Sequence, residues 1–517
     1  MKKWILTGLL VIAIGVTNVI HVKATFRVND QTKMTEYVEG VRHTEIFGTI
    51  EYDGIETSQK INYMGVNPTA FSELNIVVGD NYANHYWDKG TLTTIIDNIH
   101  NRYPNYDVIG GVNGDFFGAY GIPIEAYVRN FEVISAGLGN GRNIIGFKDN
   151  GEVVLGKPCY DGYELIVYNS IGEKKQSLTV SRINSAPLVA GEISVYFDNY
   201  TGSIGSNDTK VTLLGSETHY DDYGKTYFGR GTLLSQTNEP IAQMQPFTFV
   251  IVGNNFNNNE LITDGDYAVV QKKLACGFED VRFALGGWAI LVKDGVAFTT
   301  FTEGAAPTYR HPRTAIGVKE DGTVFFVTVD GRDNAGLYKG MTHPELAQLM
   351  VYFGAVNAFN VDGGGSSAMV LKNTEGGYDY LNTPSDGTPR PTTNGVFIVK
   401  GEHIPVPEDA LFPDTRTKLD NISSININES GYIDFSDVLH ATGYRVSIDG
   451  VEYDTEESYY QMDQIPGMHE IQIKALGNKT LFKDTDYTEI ILYTVYSENM
   501  KKIIDFLLDY TEQEATK

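Results

Sequence analysis

Apolar and polar residues alternate along much of this chain, and the alternation is broken repeatedly by Asn-Gly and Asp-Gly pairs, a pattern that predicts strands joined by tight turns. Residues 146–155 place Asn150-Gly151 between two apolar runs, and residues 290–298 turn on Asp294-Gly295, so both read as β-hairpins. A third hairpin is expected over 315–329 around Asp321-Gly322, delivering Asp330-Gly331-Arg332 to a strand end. One segment changes period. Thr342 with Glu345 forms a capping-box pattern, Leu346, Leu349, Met350 and Phe353 recur at helical spacing, and Gly354 supplies the stop. A buried strand over 358–361 follows, then Asp362-Gly363-Gly364-Gly365-Ser366-Ser367, then a second apolar run over 368–371.

The segment 403–421 holds Pro405, Pro407 and Pro413 without periodicity and reads as a linker. After it, alternation over 432–435, 444–448 and 469–475 predicts a small β-sandwich spanning 422–497. Met500, Ile503, Ile504, Leu507 and Leu508 then predict an amphipathic terminal helix within 498–517. The Asn-rich stretch 254–259 lacks the acidic ligands of a calcium loop and reads as a turn.

Composition sharpens this picture. At 517 residues with 42% apolar content, the chain holds more than one core, and 54 glycines with 32 tyrosines and 25 phenylalanines favour turn-dense β structure. A net charge of −26 disfavours nucleic acid and anionic lipid as partners. Residues 1–24 combine Lys2-Lys3, a short apolar stretch and Val22-Lys23-Ala24, the pattern of a secretory signal cleaved after Ala24. The competing reading is an uncleaved anchor, for which the apolar stretch is short against about 30 Å of hydrocarbon. The expectation is a secreted or envelope-associated protein with no stable membrane span after cleavage. Cys159 and Cys276 allow at most one bridge; two buried free thiols are the favoured expectation.

Three groups of residues carry candidate chemistry. Three consecutive glycines are costly to order, so Gly363, Gly364 and Gly365 call for a close approach to a ligand, with Ser366 and Ser367 adding donors and Asp362 beside them. The alternative is a plain strand-to-strand turn. Arg313, within His311-Pro312-Arg313-Thr314, and Arg332 present planar forks matched to phosphate, unless they pair with Asp330 or Asp333. His311 reads as structural or outer-shell. In Gly111-Val112-Asn113-Gly114-Asp115-Phe116-Phe117, Asn113 and Asp115 are candidates to line a sugar pocket, against ordinary turn chemistry for Asn113. Arg390 and Asn394 precede a strand over 396–399.

Taken in order, the segments 111–117, 311–317, 329–332, 340–347, 360–367 and 390–394 resemble the phosphodiester glycosidase family over roughly residues 70–400. One departure is Asp115, where members commonly carry a second glycine before Phe-Phe. The resemblance implies a β-rich, mixed-sheet catalytic domain with helices over 25–402; with the all-β sandwich that follows, which separately resembles a fibronectin type III module, the chain is expected to be α+β. The family resemblance also implies hydrolysis between a sugar's anomeric carbon and a phosphodiester oxygen. Arg313 and Arg332 would then clamp phosphate, Asp362 would act as nucleophile or base with Asp330 the next carboxylate, and Asn113, Asp115, Gly363 to Ser367, Arg390 and Asn394 would contact substrate. The partner implied is a carbohydrate phosphodiester of an envelope or extracellular glycan. The sequence requires no cofactor and leaves a divalent metal open. Competing readings are a metal-dependent phosphodiesterase with Asp115, Asp330 and Asp362 as ligands, and a wall-binding module without turnover. Oligomeric state is not readable.

Overall fold

The computed structural model describes residues 25–504, except 32–33, 84–85, 138–140, 188, 190, 206–208, 222–225, 254–261, 264, 302–307, 334, 403–416 and 478–481. The expected signal, the Asn-rich turn, most of the linker and residues 505–517 lie outside the described residues. No described helix is long and apolar enough to cross a membrane. The chain divides into two compact units, Met1–Tyr160 with Leu274–Ile404, and Asp161–Lys273 with Pro405–Lys517.

The first unit is β-rich, as the alternation predicts, and holds three large sheets among the described residues. In one, Val41–Tyr52 and Ile55–Val66 run beside Val324–Val329, Arg313–Val318, Asn357–Asn360 and Ile290–Lys293. A second is ordered Tyr378–Tyr380, Met369–Lys372, Asp107–Asn113, Asn394–Lys400, Leu74–Asp80. The third contains Ala126–Arg129, Phe283–Gly286 and the 146–155 hairpin, which closes with Phe147 opposite Val153. The other two expected hairpins also form, with Lys293 opposite Val296 and Val318 opposite Val324. Mixed sheets were expected, but the strand pairs of this unit are antiparallel among the described residues, both in hairpins and between strands far apart in the chain, a pairing that periodicity alone does not report.

The helix His343–Tyr352 starts as its sequence predicts. Thr342 Oγ1 accepts the Glu345 N–H at 3.3 Å, and Glu345 Oε2 accepts the Thr342 N–H at 2.8 Å. Its Leu346, Ala347, Leu349 and Met350 are fully buried against Ile61, Leu291, Phe325 and Val327. Truncating such a side chain to alanine costs about 2–5 kcal/mol.

Within the expected 25–402 domain, residues 161–273 build an eight-stranded sheet with its own core around Leu165, Val195, Phe249 and Val270. Alternation reports that a segment is a strand; it does not report which sheet the strand joins. The expectation of free buried thiols is also corrected. Cys159 and Cys276 are exposed and form a disulfide, with Cα atoms 5.6 Å apart. The bond joins the chain just before this segment to the chain just after it.

In the second unit, Ile425–Ile427, Tyr432–Phe435 and Tyr459–Gln461 form one small sheet, and Val451–Thr455, Gly443–Ile448, Gly467–Leu476 and Ile491–Val495 another. Both contribute to a cluster holding Ile433, Val446, Ile471 and Ile473, so this part is an all-β sandwich. Residues 498–504 are helical, with Met500 and Ile503 exposed.

Candidate active site

Strand register gathers the candidate residues at one edge of the first unit. Arg313 pairs with Val329, so Arg313 and Asp330 lie at the same end of their hairpin. Asn360 pairs with Ala315, which brings the 362–367 bend to that end. The bend joins strands of two different sheets, and Asn113 stitches them together. Its Oδ1 accepts from Thr314 Oγ1 at 2.8 Å and from the Ala368 N–H at 3.0 Å, while its Nδ2 donates to the Asp362 carbonyl at 2.8 Å. Asn113 ends a strand and is fully buried, with its Oδ1 and one Nδ2–H used inside the protein.

A cavity of about 230 Å³ opens here, lined by Arg313, Arg332 and Arg390, by His311 and His343, by Asp362 with Gly363 to Gly365, and by the rings of Phe116 and Trp288. A second cavity of about 300 Å³, bordered by Lys148, Arg282 and Tyr106, shares none of these residues.

The three arginines differ in their partners. Arg390 pairs with Asp386 at 2.6 Å and reaches Ser366 Oγ at 3.5 Å. Arg313 is 5% exposed and donates to the carbonyls of Met341 and Tyr309 at 2.8 and 2.9 Å, and to His343 Nε2 at 3.0 Å. Arg332 is exposed and donates to His311 Nδ1 at 2.9 and 3.2 Å. Neither Arg313 nor Arg332 has a carboxylate within salt-bridge distance among the described residues. Burial and the neighbouring Arg332 push Arg313 down to about 10, which still leaves it cationic at neutral pH. Burial and the arginine charges also push both histidines down, His343 to about 3, so both rings are neutral at pH 7.

Asp362 is half-buried at the cavity wall and is its one carboxylate among the described lining residues. Burial raises it to about 6, against hydrogen bonds from Ser366 and the Gly363 N–H and the charge of Arg390. The carboxylate form is therefore the favoured one at pH 7.

The glycine run spends four of its N–H groups inside the protein. The N–H groups of Gly363, Gly364, Ser366 and Ser367 are used on Asp362 Oδ1, the Pro312 carbonyl, and the carbonyls of Gly363 and Gly364. What the glycines provide is room. Gly364 sits at φ +62°, and a Cβ there would meet Arg332 Nη1 at 3.1 Å; a Cβ on Gly365 would come within 2.0 Å of Arg390 Nη2. The bend is thus pressed against two guanidinium groups.

Other expected site residues lie off the lining. Asp115 is fully buried, with its N–H on Asn394 Oδ1 at 2.7 Å and its Oδ2 accepting the Glu125 N–H at 2.9 Å; burial raises its pKa. Asn394 is fully buried as its partner. Asp330 is 3% exposed, faces Lys60 at 3.5 Å and accepts the Thr383 N–H at 3.1 Å. Ser366 and Ser367 are buried beneath the bend. Among the described residues no three Asp, Glu, His or Cys side chains converge as a metal centre requires, so Asp115, Asp330 and Asp362 do not form one cluster.

Three lining residues, Phe116, His343 and Trp288, escaped sequence reasoning. His343 directly follows the capping Thr342 and reads there as helix start, and Trp288 follows Gly286-Gly287 in an apolar run. Trp288 packs edge-on to Phe116 with centroids 4.9 Å apart, and the Arg142 guanidinium stacks on its ring at 3.9 Å. A tryptophan beside two glycines was the available signal.

Residues 235–399 match the family model described as phosphodiester glycosidase, so the resemblance read from the motifs holds over that stretch; the 111–117 motif lies outside it. The SPbeta prophage-derived uncharacterized protein YomE of Bacillus subtilis (strain 168) is 38% identical over 117 residues, covering 22% of this chain and 17% of that protein. The chain therefore spans less than a fifth of that relative's length. Among solved structures, a hypothetical protein from Synechocystis is 18% identical with a TM-score of 0.44, covering 71% of this chain and 63% of that one. The catalytic domain of zebrafish N-acetylglucosamine-1-phosphodiester alpha-N-acetylglucosaminidase, auto-inhibited by its pro-peptide, is 13% identical with a TM-score of 0.34, covering 73% and 88%.

Proposed function

We propose that this cavity hydrolyses the bond between a sugar's anomeric carbon and a phosphodiester oxygen, in a protein exported to act on an envelope or extracellular glycan. The observation that carries the reading is one cavity holding a largely ionised carboxylate, Asp362, together with two guanidinium groups, Arg313 and Arg332, that no carboxylate neutralises. The family match over 235–399 supports the same chemistry.

The leaving group of such a substrate is a phosphate ester, already stable as an anion, so strong general-acid help is less necessary than in ordinary glycoside cleavage. The two-carboxylate rule loosens accordingly, in keeping with one lining aspartate. Arg313 and Arg332 grip the phosphoryl oxygens, with Arg390 beside them, and stabilise the charge that gathers there as the C–O bond breaks. Asp362 attacks the anomeric carbon, or takes the proton of the water that does. Phe116 and Trp288 form the apolar wall for the sugar face. The residues named require no cofactor. Asp115, Asn113 and Asn394 act from behind the lining, holding the bend that carries Asp362. The sandwich after the linker is read as a fibronectin type III-like module, on the support of its three- and four-stranded sheets.

The test is incubation with a panel of sugar-1-phosphodiesters, reading released reducing sugar, followed by the reaction in heavy-oxygen water. Release of reducing sugar with label in the sugar is expected. Label in the phosphate, or binding without product and indifference to Asp362→Asn, would overturn the reading.

A further inference from the structure

Each of the two arginines without a carboxylate is held by a histidine ring nitrogen. Arg332 directs Nε and Nη2 onto His311 Nδ1 at 3.2 and 2.9 Å, and Arg313 directs Nη1 onto His343 Nε2 at 3.0 Å. A guanidinium group can only donate, so both ring nitrogens must be unprotonated acceptors. This fixes the tautomers as Nε2–H for His311 and Nδ1–H for His343. Both rings line the same cavity as the arginines they hold.

We propose that His311 and His343 are positioning residues that orient the Arg332 and Arg313 guanidinium groups without cancelling their charge. The inference rests on the reading of this cavity as a phosphodiester site and deepens it. A carboxylate in either place would hold the guanidinium group more tightly, but each would take one unit of positive charge from the cavity. The third arginine provides the contrast: Arg390 has Asp386 at 2.6 Å and brings little net charge. A neutral acceptor is the one kind of partner that fixes the geometry of a guanidinium group and leaves its attraction for an anion whole.

The surroundings keep the rings neutral. His311 faces Arg332 and Arg313 and lies beside the Tyr309 ring at 6.4 Å. His343 faces Arg313 and His311 and packs against the Phe301 ring at 5.4 Å. Glu345, which pairs with Arg310 at 2.5 Å, also favours the cationic form of Arg313 through its charge, without lying within salt-bridge distance of it.

The experiment compares neutral and charged replacements that present an acceptor at the same atom: His311→Asn with His311→Asp, and His343→Gln with His343→Glu. Inorganic phosphate binding by titration calorimetry is read beside kcat and KM on a sugar-1-phosphodiester, at one fixed pH. The neutral variants are expected to stay within about threefold of wild type in phosphate affinity and KM, while the acidic variants weaken both about tenfold or more with smaller changes in kcat. His311 is half-buried, so His311→Asp tests the idea even if a change at buried His343 prevents folding. Equal phosphate affinity in the neutral and acidic variants, or failure of wild type to bind phosphate, would overturn it. Because phosphate binding needs no turnover, the predicted ordering without sugar release sinks the glycosidase reading and leaves this one standing.

Discussion

Two clusters of arginine and aspartate stand in the same unit and use their charges in opposite ways. At Asp80, which is fully buried, Arg102 and Arg129 donate to the two carboxylate oxygens at 3.0 and 2.8 Å, and the Tyr127 hydroxyl and Tyr82 N–H add bonds at 2.7 and 2.9 Å. Burial pushes Asp80 up, but the two arginines outweigh it and hold its carboxyl well below the usual range. In the cavity, Arg313 and Arg332 rest on neutral acceptors, and the wall carboxylate is raised to about 6. Where each charge is answered from within, the cluster is a brace. Where cations outnumber anions at an opening, the cluster suits the anionic partner from solution that the proposed function assigns to it.

The largest break in this comparison should come from Asp362→Asn, which is expected to lower turnover by about 10³- to 10⁴-fold in steady-state assays. Melting at pH 7 should be unchanged or raised, because the ionised carboxylate is disfavoured by its burial. Asp80→Asn should do the reverse. Removing one partner of a buried charge cluster costs about 3–5 kcal/mol, read by urea unfolding, while phosphate affinity of the folded fraction stays as in wild type. The sign with pH follows from the depressed carboxyl: the Asp80 contribution is full above about pH 4 and is lost as pH falls further, so wild type should lose more stability on acidification than the variant.

Smaller effects separate the two clamp arginines. Arg313→Lys should weaken substrate binding and also cost about 1–3 kcal/mol of stability, since two carbonyls and a ring nitrogen lose their donors. Exposed Arg332→Lys should raise KM with little change in unfolding. The smallest is the pH response of wild-type turnover, which should fall about tenfold per unit below about pH 6 as Asp362 takes up its proton. A flat profile from pH 5 to 7 would remove Asp362 as nucleophile or base.

Local chemistry made much of this fold readable. The Thr342 and Glu345 capping box, the Asn150-Gly151 turn and the strand ends carrying Arg313 and Asp362 follow from neighbours within a few residues. Readings that needed partners far along the chain fared differently. Asn113 bonds to Asp362 and Ala368 across 249 and 255 positions, so its role as a stitch between the two sheets has no local signature. The bridge between Cys159 and Cys276 spans 117 positions, and the N–H groups of Gly363, Gly364, Ser366 and Ser367 are taken by Pro312 and the bend itself. His343 was hidden because a helix start explains a polar residue there equally well.

The Cys159–Cys276 bond also governs how the chain comes apart. A single protease nick anywhere between those cysteines cuts the backbone yet leaves both pieces travelling as one species on a non-reducing gel, and only a thiol reagent releases them. Loss of mass after limited digestion therefore requires two cuts inside that span, whereas one cut outside it suffices.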